Sequence, residues 1–456
     1  MENIACYGRL NQAACASRGT HLSSEIFNGT QPFTGLLSRP QQFNFREIVR
    51  GILMSGSTYL SHIGKANGAV RNERKTVERL SRTLRKIPTE KCAELHILNQ
   101  VNQYRNEVIL ILSDGGDLQK PYAKKMKKVC GTADGSNGHK AGRGYPMHAL
   151  MAFGLKSGNL CPLALRTYST LNEGFKSTWD EERKNFDLLR PLIKCSDFDR
   201  IIIEDRGCDD EKRFLYFVNE LEASFVTRIH AGAKSRIFSV QRENGEYENM
   251  KVSELAEKLR SKAGGARRWW NQKLKKKLTS KIAFQKVYLP KQPEIPLYAI
   301  FCYSEGYIEP LVVLTDLKIE TLEDAWTHFF YYKKRWEVEN FYRAIKQQFG
   351  AERFLILDFE KIRALIFVLL LAYSLLLKIK QKLKKVLGFT YQLFKDFCQR
   401  KQKSGIHHLD ILAFLRDYFA QPETGNFYRF YSRQFRKNLY CSTKYQLKLF
   451  DFRKIW

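Results

Sequence analysis

Two aspartates and one glutamate, far apart in the chain, could together do metal chemistry. Asp114 follows the apolar run Val108 to Leu112 (VILIL), and Asp205 follows the run Arg200 to Glu204 (RIIIE). Runs of this kind are typical of strands buried on both faces. Carboxylates at the carboxyl ends of adjacent central strands can converge and bind Mg²⁺. An aspartate after a strand is more often a loop or capping residue, so this pair alone proves no site.

The third acid, Glu339, belongs to a predicted long helix over Leu322 to Phe349. Arg335, Glu339 and Lys346 follow Tyr332 at offsets of 3, 7 and 14 residues. At about 100° per residue these four side chains fall within roughly 60° of one another and form one stripe. A solvent-facing ladder of ion pairs is the alternative, with Arg335 and Glu339 as an ordinary i,i+4 pair. A neighbouring apolar face can anchor the helix to a sheet through Val338, Phe341 and Ile345.

The residues around this stripe resemble a known motif. The segment Tyr332 to Lys346 (YKKRWEVENFYRAIK) resembles the Tyr-Arg-Glu-Lys motif of bacterial insertion-sequence transposases of the insertion sequence 4 family. The resemblance runs from about Val108 to Ser374 and extends to an insertion with β-strands between the second and third acids. It also includes the lysine-rich stretch Lys120 to Lys128 and the segments Gly144-Tyr145-Pro146-Met147-His148, Asp205-Arg206-Gly207 and Leu314-Thr315-Asp316.

This resemblance implies a ribonuclease-H-like catalytic core of the Asp-Asp-Glu type. The implied catalytic and metal-binding residues are Asp114, Asp205 and Glu339. The implied cofactor is a pair of Mg²⁺ ions, for which Mn²⁺ can substitute. The DNA backbone near the cut would be held by Tyr332, Arg335 and Lys346. Trp336 would stack on an unstacked base, although a plain core tryptophan is an equally good interpretation.

The first acidic motif departs from the family pattern. The family's motif reads Asp-x-Thr-Asp, whereas this chain has Asp114-Gly115-Gly116-Asp117. We assign the metal to Asp114 because it is nearer the strand end and matches the first acid of the motif, and Asp117 remains a rival. The missing threonine leaves open that this copy has lost catalysis.

The elements needed to position these acids are predicted in a characteristic order. Three strands, a helix, a strand, a helix and a strand follow one another, and ribonuclease-H-like domains run in this order. The predicted strands are Val108–Leu112, His148–Leu155, Leu160–Tyr168, Arg200–Glu204, Ser224–Ile229, Leu297–Tyr303 and Leu311–Leu314. The predicted helices between them are Thr178–Leu192 and Asp210–Leu221.

The domain organisation follows from changes in pattern along the chain. We predict an α/β, ribonuclease-H-like mixed-sheet core with a β-containing insertion, an N-terminal helical domain and a helical, basic C-terminus. Helices near the N-terminus, the last of them basic, suit a DNA-binding module or, equally, a helical cap on the core. The predicted segments are a flexible leader (1–40), a DNA-binding domain (41–100), core (101–230), an inserted subdomain (231–295), core with the catalytic helix (296–378) and the C-terminal region (379–456).

Composition agrees with a nucleic-acid partner. The 456 residues include 77 Lys and Arg against 47 Asp and Glu, a net charge of +30, which favours binding to a polyanion. None of the ten cysteines forms a Cys-x-x-Cys pair, which indicates reduced thiols in a cytosolic protein rather than a zinc site or disulfides. The apolar run Ala364 to Leu377 is shorter than a membrane span and is predicted to be a buried core helix.

These observations predict a DNA transposase that cleaves and joins strands at the ends of an insertion sequence. Its expected partners are double-stranded DNA, the terminal inverted repeats and target DNA, and no membrane. We expect a homodimer on paired DNA ends, in the bacterial cytoplasm at the nucleoid. The alternatives are a catalytically inactive, transposase-derived DNA-binding protein and a stand-alone ribonuclease or junction nuclease.

Overall fold

The chain divides into two compact units. The computed structural model describes residues 25–68, 72–134, 140–194, 198–232, 235–272 and 274–386. One unit comprises the residues up to Thr83 and from Lys378 onward, and the other is Leu84–Leu377. The predicted N-terminal domain extended to residue 100, but the helix Thr89–Val101 lies in the second unit. Its Ile97 is fully buried in that unit's core, and its His96 contacts the Pro162 carbonyl.

The described residues of the first unit include the 3-10 helix Gln31–Leu36 and the helices α1 (Arg39–Ser55), α2 (Leu60–Ala66) and α3 (Glu73–Leu84). The Ser38 and Gln41 capping box starts α1, which ends at Gly56 in the left-handed conformation. Helices α1 and α2 pack closely because a Cβ on Gly51 would lie 2.5 Å from Ile63 Cγ2. Helical backbone begins at Glu25, inside the segment predicted to be a flexible leader, and residues 1–24 lie outside the described residues.

The second unit is built on a mixed sheet to which twelve strands of the described residues belong. The strands are β1 (Ile109–Gln119), β2 (Cys130–Asp134), β3 (Lys140–Gly154), β4 (Leu160–Thr167), β5 (Arg200–Glu204), β6 (Ser224–Ile229), β7 (Ile237–Gln241), β8 (Tyr247–Lys251), β9 (Gly264–Asn271), β10 (Lys276–Leu289), β11 (Gln292–Ser304) and β12 (Leu311–Thr315).

Five of these strands form the ribonuclease-H-like part of the sheet. They lie in the order β4-β3-β1-β5-β6. The pairs β4/β3 and β3/β1 are antiparallel, and β1/β5 and β5/β6 are parallel. Strands β5 and β6 have the bounds predicted from sequence. This mixed α/β sheet agrees with the ribonuclease-H-like core predicted from sequence.

The predicted insertion continues the main sheet. Strand β10 pairs with β11 along most of its length, and β11 pairs with β12, which pairs with β6. The inserted residues 231–295 are therefore joined to the core by backbone hydrogen bonds. Leu278, Ile282 and Val287 of β10 are buried, as in a core strand.

The helices of the second unit cover the sheet. They are α4 (Thr89–Val101), α5 (Thr178–Asp187), α6 (Arg190–Lys194), α7 (Glu211–Leu215), α8 (Val252–Arg260), α9 (Leu322–Lys333), α10 (Trp336–Arg343) and α11 (Phe359–Val386), which reaches into the first unit. Each of the three helices predicted in the core is divided. Pro191, which lacks an N–H, follows the break between α5 and α6. After α7 and α10 the backbone continues as π-helix, at Tyr216–Leu221 and Ala344–Gln348.

Helix α11 contains the apolar run expected to be a core helix. Its segment Phe359–Gln381 is, within the described ranges, the one helix long and apolar enough to cross a membrane. The protein buries 89% of the most apolar part of this segment, which agrees with a core helix. Asp358 caps the start of α11 by accepting a hydrogen bond from the Lys361 backbone N–H (3.2 Å). The predicted basic C-terminal region lies outside the described residues from position 387 onward.

Candidate active site

Asp114 and Asp205 lie just beyond the point where two parallel strands stop pairing. The last parallel pair between β1 and β5 joins Leu112 to Ile203, and Asp205 follows the end of β5. Asp114 lies within β1, because this strand continues to Gln119 through antiparallel pairing with β3. The predicted end of β1 at residue 112 is therefore wrong, although both aspartates lie at the same edge of the parallel pairs.

The third acid reaches this edge on helices α9 and α10. Thr321 accepts a hydrogen bond from the Asp324 backbone N–H (3.2 Å), and the Asp324 carboxylate accepts one in return from the Thr321 N–H (2.9 Å). Between the helices, the N–H groups of Lys334 and Arg335 bond three residues back, to the carbonyls of Tyr331 and Tyr332. This tight turn replaces the uninterrupted helix predicted from sequence and places Arg335 at the junction.

The guanidinium of Arg335 bridges all three acids. Its Nη1 donates to Asp114 Oδ2 (2.7 Å), and its Nη2 donates to Glu339 Oε1 (2.6 Å). The same Nη2 lies 3.4 Å from Asp205 Oδ2. Asp114, Asp205 and Glu339 thus converge from three separate segments on one cation, which a solvent-facing ladder of ion pairs would not produce.

Two further residues hold Asp205. The hydroxyl of Tyr332 donates to Asp205 Oδ1 (2.9 Å), and Arg228 Nη1 lies 3.8 Å from the same oxygen. Burial raises the pKa of Asp205, but the charge of Arg335 and the hydrogen bonds from the Arg206 backbone and from Tyr332 together hold it below its ordinary value. Asp205 is therefore ionised at neutral pH.

Asp114 has the opposite shift. Burial raises its pKa to about 7, against the lowering effect of Arg335, and the negative charges of Asp205 and Glu339 add to the rise. Burial thus makes the ionised form of Asp114 costly, and a further cation beside it would favour that form.

Lys346 and Asp117 form a separate cluster along the strand. Lys346 Nζ lies 3.0 Å from Asp117 Oδ1 and 3.3 Å from Glu352 Oε1. Glu352 also accepts a hydrogen bond from the Gln119 backbone N–H (3.1 Å). The structure thus brings Asp114 to Arg335, whereas Asp117 pairs with the last residue of the predicted stripe.

A tyrosine occupies the space beside the two glycines of the first acidic motif. The Tyr342 hydroxyl donates to the Asp114 carbonyl (2.9 Å), and a Cβ on Gly116 would lie 2.8 Å from Tyr342 Cζ. A threonine at this position, as in the family's motif, would overlap the tyrosine ring. The departure from the motif thus has a physical counterpart on α10.

Trp336 is half-buried and has no ring partner among the described residues.

A buried polar network supports the two aspartates and was not predicted from sequence. Asn185 Nδ2 lies 3.1 Å from His148 Nδ1, and His148 Nε2 lies 2.9 Å from Ser113 Oγ, which donates to Glu204 Oε1 (3.2 Å). Arg213 donates to the same Glu204 oxygen (3.0 Å). Ser113 and Glu204 directly precede the two aspartates, so the network fixes the backbone that carries them. The feature of the sequence that could have indicated this network is the charged Glu204 at the end of an otherwise apolar strand.

The residues at the Arg335 cluster fit a divalent metal ion. Three carboxylates around one cation provide the hard oxygen ligands that Mg²⁺ and Mn²⁺ prefer. Within the described ranges, no three Asp, Glu, His or Cys side chains are grouped closely enough to hold a metal as they stand. Arg335 lies between the three acids instead.

A ribonuclease-H-like sheet with three acids converging at its edge defines a polynucleotide-cleaving enzyme of the Asp-Asp-Glu class. The family model described as "Transposase DDE domain" matches residues 114–375, more than half of the chain. The chain therefore belongs to the DDE transposase family, whose members cut and join DNA strands and generally depend on divalent metal ions. No curated protein matches the chain significantly.

Proposed function

We propose that the protein is an insertion-sequence transposase of the Tyr-Arg-Glu-Lys type, related to the insertion sequence 4 family, which cleaves the ends of its element and transfers them to target DNA. The convergence of Asp114, Asp205 and Glu339 on one cation carries the proposal. Its substrates are the terminal inverted repeats and target DNA. It acts as a homodimer on paired ends, at the bacterial nucleoid in the cytoplasm.

The three acids hold two Mg²⁺ ions in this proposal, and Mn²⁺ can substitute. When bound, the ions activate a water molecule or a 3′-hydroxyl and stabilise the leaving oxygen during an in-line attack on a phosphodiester. Tyr332 orients Asp205 through its hydroxyl. Arg335, among the three acids, and Lys346, beside Asp117, supply positive charge for the DNA backbone. Trp336, half-buried on α10, stacks on an unstacked base.

The hairpin of β9 and β10 provides a further DNA-contacting face. Its inner side is anchored to α9, because Trp269 packs edge-on against Phe329 with ring centroids 5.5 Å apart. Its outer side exposes Arg268, Trp270 and Lys277, of which Trp270 and Lys277 pair across the strands. Exposed cations beside an exposed aromatic ring suit a DNA backbone and its bases. The basic helix α3 and the C-terminal region supply additional contacts in this proposal.

Cleavage of DNA from the ends of the element tests this function. We expect the wild type to nick a labelled terminal-repeat duplex only with Mg²⁺ or Mn²⁺. Glu339→Gln and Asp114→Ala should abolish nicking while DNA binding stays nearly intact. Glu337→Gln is the matched control, because this acid lies on the same helix and its carboxylate accepts a hydrogen bond from Asn340.

Two outcomes would change the assignment. Nicking by Glu339→Gln at the normal rate would exclude this residue as a metal ligand. Tight binding without nicking under any divalent metal would favour the catalytically inactive DNA-binding protein.

A further inference from the structure

Arg335 holds the acids through the oxygens that face the centre of the cluster. Asp114 Oδ2, Asp205 Oδ2 and Glu339 Oε1 all lie within 3.4 Å of a guanidinium nitrogen. The second oxygen of Asp205 is also engaged, because it accepts the Tyr332 hydroxyl. The facing oxygens that could reach a common ion are therefore already hydrogen-bonded to the guanidinium or, for Asp205, ion-paired with it.

A divalent ion cannot use these oxygens while Arg335 remains there. Mg²⁺ requires oxygens at about 2.0–2.1 Å in near-octahedral geometry. An ion bound to oxygens from two of the acids would lie in the space of the guanidinium nitrogens, which themselves are only 2.6–3.4 Å from those oxygens. The two cations also repel each other. Binding of the metal and of Arg335 to these facing oxygens is therefore mutually exclusive.

Arg335 has an alternative partner once DNA is present. A guanidinium binds a phosphodiester as readily as a carboxylate, because its parallel N–H groups match both. The acids are open to solvent, with 25%, 34% and 31% of the side chains of Asp114, Asp205 and Glu339 exposed. A DNA phosphate that approaches from the solvent side can bind Arg335. A metal ion then replaces the positive charge of Arg335 among the three acids.

We propose that Arg335 occupies the metal position in the free protein and moves to a DNA phosphate when substrate binds, so that DNA binding opens the metal site. This inference rests on the proposed metal-binding role of the three acids. Because coupling between two ligands is reciprocal, DNA strengthens metal binding by the same factor by which metal strengthens DNA binding. Free protein then holds the metal weakly.

Titration of Mn²⁺ into the whole protein, followed by the electron paramagnetic resonance of the unbound ion, tests this proposal without any cleavage readout. Without DNA, Arg335→Gln should bind Mn²⁺ about tenfold more tightly than wild type, in the usual range of such couplings. A short duplex should then tighten Mn²⁺ binding to the wild type by a similar factor and leave Arg335→Gln nearly unchanged.

Arg343→Gln is the matched control, because it removes one positive charge from the same helix at an exposed position that contacts none of the three acids. It should bind Mn²⁺ like the wild type. Arg335→Lys provides a second variant if Arg335→Gln does not fold. Its single ammonium cannot bridge three acids, so its Mn²⁺ affinity without DNA should also exceed that of the wild type.

Two results would overturn the inference. One is Mn²⁺ affinity in the folded Arg335 variant no higher than in Arg343→Gln. The other is an equal effect of the duplex on the wild type and on the Arg335 variant. Glu339→Gln separates this failure from that of the proposed function. If, with the duplex present, Glu339→Gln binds Mn²⁺ as the wild type does, the proposed metal site itself is wrong. If its Mn²⁺ binding is lost, the metal site stands and only the role of Arg335 is refuted.

Discussion

The close contact between Gly116 and Tyr342 predicts that a single added methyl group disturbs the active site. In Gly116→Ala, the new Cβ would lie 2.8 Å from Tyr342 Cζ and 2.9 Å from Cε1. Ordinary carbon contacts are about 3.5–4.0 Å, so the ring must retreat by roughly 0.7 Å or more. The ring has little room to move, because Tyr342 is 8% exposed and its hydroxyl bonds to the Asp114 carbonyl.

The expected change in the free energy of unfolding of Gly116→Ala follows from two opposing effects. Overpacking of a filled site costs about 1–3 kcal/mol. Replacing glycine by alanine stabilises by about 0.4–1 kcal/mol through the unfolded chain, where the backbone angles permit it. Gly116 is not among the described glycines with a positive φ, so this gain applies. The free energy of unfolding should therefore fall by about 1–2 kcal/mol.

Gly115→Ala is the matched control, because nothing lies within 4 Å of a Cβ at that position. Urea unfolding should show it to be as stable as the wild type or slightly more stable. Gly116→Ala should also lose cleavage, since a shift of about 1 Å in α10, which carries Glu339, costs about a hundredfold in rate. Removing the ring with Tyr342→Ala should reduce the cost of Gly116→Ala, because the two residues are coupled. Equal stability of the two alanine variants would refute the reasoning.

Two other features give further predictions. Burial lowers the pKa of His148 from 6.5 to about 4, so the wild type should lose roughly 2 kcal/mol of stability through this residue between about pH 7 and pH 5. The loss occurs as the pH falls, because the unfolded chain then binds a proton that the folded chain excludes. His148→Gln should weaken this dependence in urea unfolding, and an unchanged dependence would exclude His148 as its source. The net charge of +30 should make DNA affinity fall steeply with salt, and Lys277→Ala should reduce the slope of log affinity against log salt by about 1. An unchanged slope would remove the β9–β10 hairpin from the DNA interface.

The local sequence pattern was sufficient to predict the bounds of a strand where that strand is apolar and has charged residues at both ends. The run Arg200 to Glu204 has charged ends around three isoleucines, and its predicted bounds match β5. The extension of β1 beyond residue 112 could not be predicted, because Asp114, Gly115 and Gly116 carry no strand pattern. Their conformation is set by pairing with β3, more than thirty residues away in the chain.

In the candidate active site, too, local sequence pattern predicted some features and long-range contacts determined the others. Helical spacing was sufficient to place Tyr332, Arg335 and Glu339 on one side of a helix, and the structure brings these three to the aspartates. Spacing could not reveal that Arg335 bridges all three acids, because it fixes a direction but no side-chain conformation. Nor could it reveal that Lys346 pairs with Asp117, since the backbone becomes a π-helix just before that residue.

The distribution of the three acids along the chain affects when the enzyme becomes complete during synthesis. Ribosomes make proteins from the N-terminus at roughly 5–20 residues per second, so Asp114 and Asp205 emerge roughly 7 to 45 seconds before Glu339. Over that interval the nascent chain has two acids of the three. When the last acid emerges, Arg335 has preceded it by a single helical turn. The order of synthesis thus supplies the guanidinium together with the third carboxylate, so the growing chain never exposes all three acids without it.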